Sequence, residues 1–214
     1  MADRVPATIG KYRIERELGR GASGVVYLGL DGLRGRKVAV KQMHAHLLAE
    51  PAQAARHRRQ LQSEAALAAR LRHPNIVRLL DADESATPPY LVFEYLSGRP
   101  LSDHASADTL LPVAQVLDIA FKCGHALEYA ERQGLVHRDI KPANLLLADD
   151  GEVKLVDFGA ALSTQSEATQ LAGLVGSPSY MSPEQVREET LTHHSDMFSL
   201  GVVVYELLTG RRPF

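Results

Sequence analysis

The chain has 214 residues, with 24 basic and 26 acidic side chains, a net charge of −2 and 45% hydrophobic residues. That length and apolar content supply a core for one large domain or two lobes around a cleft. The near balance of charge points away from nucleic acid or an anionic membrane as the main partner. The single cysteine, Cys123, excludes an internal disulfide framework and fits a reducing compartment. The first ten residues lack an apolar core of signal-peptide length, which predicts neither secretion nor a mitochondrial address and a cytoplasmic place. The longest strongly apolar run, Leu200 to Leu208, is too short to span a bilayer.

In chain order, Tyr12 and Ile14 alternate with charged residues and lead into Leu18-Gly19-Arg20-Gly21-Ala22-Ser23-Gly24-Val25-Val26-Tyr27. Glycines let backbone amides approach phosphate oxygens, but a dinucleotide-binding turn shares this pattern. Val25 to Leu28 reads as strand where a dinucleotide fold wants a helix, so a hairpin lid is expected. Asp31-Gly32 marks a turn that Gly35 closes, and Val38 to Lys41 forms the next strand. A lysine at such a strand end most often faces water. Here a helix over residues 52 to 72, with Pro51 near its first turn, carries Glu64 on the face of Leu61, Ala68 and Leu71. An acid in an apolar stripe requires a cation, and Lys41 is the nearest candidate. The Arg56-His57-Arg58-Arg59 cluster reads as a solvated helix face.

Val77 to Leu80 and Tyr90 to Glu94 are expected as strands separated by a turn-rich stretch, and Leu96-Ser97-Gly98 as a connection. A helix follows from Pro112 to Gln133, with Val113, Val116, Leu117, Ala120, Gly124 and Leu127 along one stripe, Cys123 packed as a small hydrophobe and Gly134 as the stop. It delivers the chain to His137-Arg138-Asp139-Ile140-Lys141-Pro142-Ala143-Asn144. A carboxylate, a lysine and a carboxamide in one turn suit a phosphate, its metal and a hydroxyl nucleophile. Alone, the octapeptide is equally a polar turn between apolar runs. A hairpin about Asp149-Asp150-Gly151 then ends at Asp157-Phe158-Gly159, where the aspartate is placed to bind a hard cation. Residues 160 to 175 read as a mobile loop, and the last helix, from Asp196 to Leu208, is apolar nearly all round and expected to be buried.

Jointly the glycine loop, Val-Ala-Val-Lys, the helix glutamate, His-Arg-Asp with Asn144, Asp-Phe-Gly, Ser182-Pro183-Glu184 and Asp196 resemble a eukaryotic-type protein kinase, most like the serine/threonine kinases of bacteria. The resemblance runs from Tyr12 to the end of the chain. It implies an α+β, two-lobe fold: a tail over 1 to 10, a β-rich N-lobe with one main helix over 11 to 96, and a mostly helical, incomplete C-lobe over 97 to 214. It implies phosphoryl transfer from ATP, with Mg²⁺ or alternatively Mn²⁺, to serine or threonine of a protein substrate, the chain itself included. Gly19, Gly21 and Gly24 would cover the phosphates, and Lys41, paired with Glu64, would hold two of them. Asp139 would orient the hydroxyl, Lys141 neutralise the γ-phosphate, and Asn144 and Asp157 bind the metal. Leu18, Val26, Ala39 and Leu146 would enclose adenine, with backbone groups of Glu94 and Leu96 reading its edge. Arg138 would pair with a loop phosphate, for which Thr169 is preferred over Thr164, Ser166 and Ser163.

Ser177, Ser182 and Phe198 stand where the family more often has threonine, alanine and tryptophan, and all three look tolerable. The family continues through further helices beyond the place of Phe214, one of which carries an arginine for Glu184. Glu184 is therefore expected to lack that partner, and the last helix to leave apolar surface open to self-association. A scaffold of a different class, binding nucleotide without catalysis, is the alternative; the complete set of Lys41, Asp139, Asn144 and Asp157 favours the enzyme.

Overall fold

Strand-forming residues alternating with polar ones build the first unit of the computed structural model, which describes residues 5–158, 161–163 and 177–214. This unit comprises residues up to Ala69 with Arg78–Tyr95; the second comprises Arg70–Val77 with Leu96–Phe214. The segment Arg70–Val77, which the sequence pattern leaves with the first lobe, thus groups with the second. Asn75 explains this grouping. Its Nδ2 donates to Val153 O at 2.8 Å and its carbonyl accepts from Leu155 N at 2.9 Å, while Val77 N donates to Leu155 O.

In the first unit, β1 (Thr8–Ile9), β2 (Tyr12–Arg20), β3 (Gly24–Asp31), β4 (Arg36–Met43), β5 (Leu79–Asp83) and β6 (Tyr90–Glu94) form one antiparallel sheet in the order β1-β2-β3-β4-β6-β5. Tyr12, Ile14, Val25, Tyr27, Val38, Val40, Tyr90 and Val92 cluster on one face as the core. Because strand side chains alternate, Val26, Ala39 and Lys41 lie on the other face, with Val26 opposite Lys41 in register. The β3–β4 turn is held by Asp31, whose buried Oδ1 accepts from Leu33 N and Arg34 N and whose carbonyl accepts from Gly35 N, with Gly35 at φ 61°. At Gly24 the strands approach so closely that a Cβ would overlap the Gln42 carbonyl.

The fifth strand lies two residues later than the apolar run Val77 to Leu80 suggests. Register against β6 decides it: Leu79 faces Phe93, a bulge follows, and Asp81 faces Val92. The polar residue is accepted because Asp81 Oδ2 takes the Tyr12 hydroxyl at 2.7 Å and the Lys11 ammonium at 2.7 Å. The unit's helix, α1 (Pro51–Arg70), starts on a proline that needs no amide partner and buries Leu61, Glu64, Ala65, Leu67 and Ala68.

The second unit packs α2 (Val113–Arg132) against α4 (His193–Thr209) and carries β7 (Gly98–Pro100), β9 (Leu145–Ala148) and β10 (Val153–Leu155) as a small sheet in the order β10-β9-β7. The expected stripe of α2 is turned. Val116, Ile119, Cys123, Ala126, Leu127 and Ala130 are buried, while Val113 and Leu117 are 63% and 58% exposed. Both stripes have helical spacing, and contact with α4 and with the strands packed on α2 selects between them. Cys123 does pack as a hydrophobe, and burial pushes its thiol up to about 12. Gly134, at φ 71°, follows the helix end. Leu162–Ser163, expected within a loop, form β11, paired with β8 (Leu135–Val136). α4 is not buried all round either: Leu200, Val203 and Leu207 are inside, whereas Met197, Tyr205 and Leu208 are exposed.

What α4 chiefly contributes is Asp196. This buried carboxylate accepts His137 N on Oδ2 at 2.7 Å and Arg138 N on Oδ1 at 2.8 Å. Burial raises its pKa, against which those two amides work. Arg138 has φ 68°, a conformation that costs a non-glycine residue roughly 1–3 kcal/mol. Its carbonyl is held by Gln185 Nε2 at 2.8 Å.

Two stability predictions follow from these contacts. Asp196→Ala strands two buried amides at about 1–3 kcal/mol each, so its urea midpoint falls well below that of Asp196→Asn, which keeps one acceptor. Gly24→Ala forces β3 from β4 at a cost of about 1–3 kcal/mol, read as a lower midpoint than for Gly21→Ala, whose added methyl meets nothing within 4 Å.

Candidate active site

The first unit brings together Lys41 and Glu64. Lys41 Nζ lies 2.7 Å from Glu64 Oε1, and their side chains are 15% and 6% exposed. A pair this buried contributes little net stability, but losing either member strands a charge at a cost of roughly 3–5 kcal/mol. The glutamate in the apolar stripe of α1 therefore finds the lysine that the alternation of β4 puts on the same side. On the same face as Lys41, Val26 and Ala39 are half-buried. Gly19 pairs with Val26, and Gly21 N donates to Gly24 O at 2.9 Å to close the turn between β2 and β3. No neighbour stands where a Cβ of Gly19 or Gly21 would be, so these two glycines leave open space and Gly24 alone is required by the fold. Glu94 is bound to Arg78 twice: its amide donates to Arg78 O, and its Oε1 accepts from Arg78 N, each at 3.0 Å. Its carboxylate is thereby engaged. Leu18, on β2, is half-buried, as are Leu96 and Leu146 in the second unit.

The second unit gathers its charged groups around Asp139. Lys141 Nζ is 2.7 Å from Asp139 Oδ2; Asn144 Nδ2 donates to the same oxygen at 3.0 Å and to Asp139 O at 2.8 Å. Ser177 Oγ donates to Asp139 Oδ1 at 3.2 Å and accepts from Lys141 Nζ at 2.9 Å. Below, the His137 ring meets Phe158 edge-on at 4.8 Å, and Val156 N donates to Asn144 O. Asn144 is buried, and with its amide nitrogen committed to Asp139 the carboxamide oxygen is its remaining donor atom. Asp157 is exposed at φ 64°, one residue past that Val156 contact. A carboxamide oxygen and a carboxylate are hard donors that fit Mg²⁺ or another hard cation. Among the described residues, no group of three or more His, Cys, Asp or Glu forms a metal cluster.

Ser177 stands out in the sequence only as a substituted threonine, yet it touches both Asp139 and Lys141. Its role arises from contacts across long sequence separation. The local signal that was available is Ser-Pro-Glu-Gln, a capping box. Ser182 Oγ accepts Gln185 N and Gln185 Oε1 accepts Ser182 N at the start of α3 (Pro183–Val186), which frees Gln185 Nε2 to hold Arg138 O. The contact that Glu184 makes is with a hydroxyl and not with an arginine: Ser195 Oγ donates to it at 2.6 Å. Burial alone would raise the Glu184 pKa, but the Ser195 bond and its neighbours hold it below the ordinary value. Gly159, Thr164, Ser166 and Thr169 lie outside the described residues, and Ser163 enters only through its pairing with Leu135.

Comparison with known sequences gives the family of the chain. The family described as Protein kinase domain matches residues 12–214. A probable serine/threonine-protein kinase PknB of Bifidobacterium longum is 38% identical, covering 100% of this chain and 32% of the relative. A probable serine/threonine-protein kinase of Streptomyces coelicolor is 41% identical over 96% of this chain and 31% of its own length, and the PknB of Mycobacterium leprae 38% identical over 98% and 34%. The chain spans about a third of the length of these curated relatives. With the match reaching from β2 to the last residue, the chain belongs to the protein kinase domain family.

Proposed function

We propose that this chain transfers the γ-phosphate of ATP to serine or threonine hydroxyls of proteins, including its own. Family membership implies ATP, a divalent metal and a protein substrate in general; serine or threonine as acceptor and Mg²⁺ as the ion are the finer reading. The observation that carries it is Asp139, which is held by Lys141, Asn144 and Ser177 at 2.7–3.2 Å.

Phosphoryl transfer asks chiefly for alignment and charge neutralisation. Asp139 accepts the substrate hydroxyl and its proton as the oxygen bonds to the γ-phosphorus and the bond to the β-phosphate oxygen breaks. Lys141, beside that carboxylate, balances negative charge on the transferred group. Asn144 and Asp157 would hold Mg²⁺, which neutralises phosphate oxygens when bound. Lys41, oriented by Glu64, contacts the α- and β-phosphates, while Gly19, Gly21 and Gly24 carry the backbone that covers them. Leu18, Val26 and Ala39, with backbone groups of Glu94, are the base-binding residues assigned to the first unit, and Leu146 and Leu96 those assigned to the second, each taken by itself. Arg138 and Thr169 form the regulatory pair, Thr169 entering on sequence alone. Among the described residues no helix is long and apolar enough to cross a membrane.

Asp139→Asn keeps the shape and removes the charge. It is expected to lower Mg²⁺-ATP phosphorylation of a generic protein by about 10²-fold or more, the scale of a lost general base, while nucleotide binding persists. Equal labelling by parent and variant, with contaminating kinases removed, overturns the assignment. Phosphosite mapping after incubation with ATP is expected to find Thr169, and Thr169→Ala to reduce the initial rate; no phosphate in that loop and an unchanged rate would sink the regulatory pair.

A further inference from the structure

The turn Gly21–Gly24 is held by more than its own Gly21 to Gly24 hydrogen bond. His44, the residue after β4, reaches it twice. Its ring Nε2 lies 2.9 Å from Gly21 O, and its backbone N donates to Ser23 O at 3.3 Å. A carbonyl cannot donate, so Nε2 carries the hydrogen in this contact. The imidazole is itself placed. His44 has an extended backbone (φ −63°, ψ 131°), its carbonyl accepts Leu47 N at 3.1 Å, and its ring stacks on His46 with centroids 5.0 Å apart at 25°.

The consequence comes from the planarity of the peptide bond. In a trans peptide the carbonyl and the following N–H point to opposite sides. Pulling Gly21 O toward His44 therefore turns the N–H of Ala22 away from the β4 end, and among the described residues Ala22 N has no hydrogen-bond partner. Unpaired backbone amides on an exposed turn of small residues are groups that can receive a phosphate oxygen. Gly21, with open space where a side chain would be, does not obstruct the approach.

The geometry points to His44 as a positioning residue for the terminal phosphates of the nucleotide: its Nε2–H locks the Gly21–Ala22 peptide so that Ala22 N–H faces the phosphate. This rests on the nucleotide reading above and adds to it a residue outside every motif of the glycine loop.

Isothermal titration of the full chain with Mg²⁺ and either a non-hydrolysable ATP analogue or adenosine tests it. His44→Ala is expected to weaken the triphosphate about five-fold and His44→Gln, whose carboxamide reaches the same carbonyl, to stay within about two-fold of the parent, as the loss of one hydrogen bond predicts. Adenosine affinity stays unchanged in both. Unaltered triphosphate binding in His44→Ala, equal loss of adenosine, or a glutamine variant as weak as alanine would each overturn the role of His44 while leaving the nucleotide reading intact. A parent chain that binds neither ligand overturns both.

Discussion

One buried carboxylate organises the second unit. Asp196, in the first turn of α4, accepts the amides of His137 and Arg138, and through them the backbone that presents Asp139. The contact makes an unfavourable conformation at Arg138 tolerable, since two charge-assisted hydrogen bonds offset the left-handed backbone. Gln185 completes the grip from the other side by taking the Arg138 carbonyl. A loop carrying a charged site could otherwise move; this one has its amides and its carbonyl held by a buried acid and a capped helix.

The two lysines are oriented in the same way. Lys41 is held by Glu64, and Lys141 by Asp139 and Ser177. Groups oriented beforehand need little reorganisation when charge develops, which is the main physical requirement for moving a phosphoryl group. The sheet supplies the rest by simple alternation: one face of β3 and β4 builds the core, and the other carries Val26, Ala39 and Lys41.

Several features were legible because they are local. Gly-x-Gly with strand residues on both sides marked the β2–β3 hairpin, Asp31-Gly32 the next turn, Pro51 the start of α1 and Gly134 the end of α2. Others were illegible for equally definite reasons. The stripe of α2 could be drawn through Val113 and Leu117 or through Ile119 and Cys123, and packing against α4, β8 and β10 buries the latter. The strand β5 takes in Asp81 because Tyr12 and Lys11, far away in sequence, satisfy its carboxylate.

The sequence by itself determined the inventory: a glycine turn, a lysine at a strand end, an acid in an apolar helix stripe, and Asp139, Lys141 and Asn144 within one turn. Those arise from spacing, and spacing sets which face of a helix or strand a residue occupies. Only the tertiary structure decided which groups meet. Ser177 with Asp139, Gln185 with Arg138, Ser195 with Glu184 and His44 with Gly21 are joined across stretches of chain that no periodicity links. Each is a hydrogen bond whose partners are chosen by packing and by the cost of leaving a polar group unsatisfied, a constraint visible only once the chain is folded.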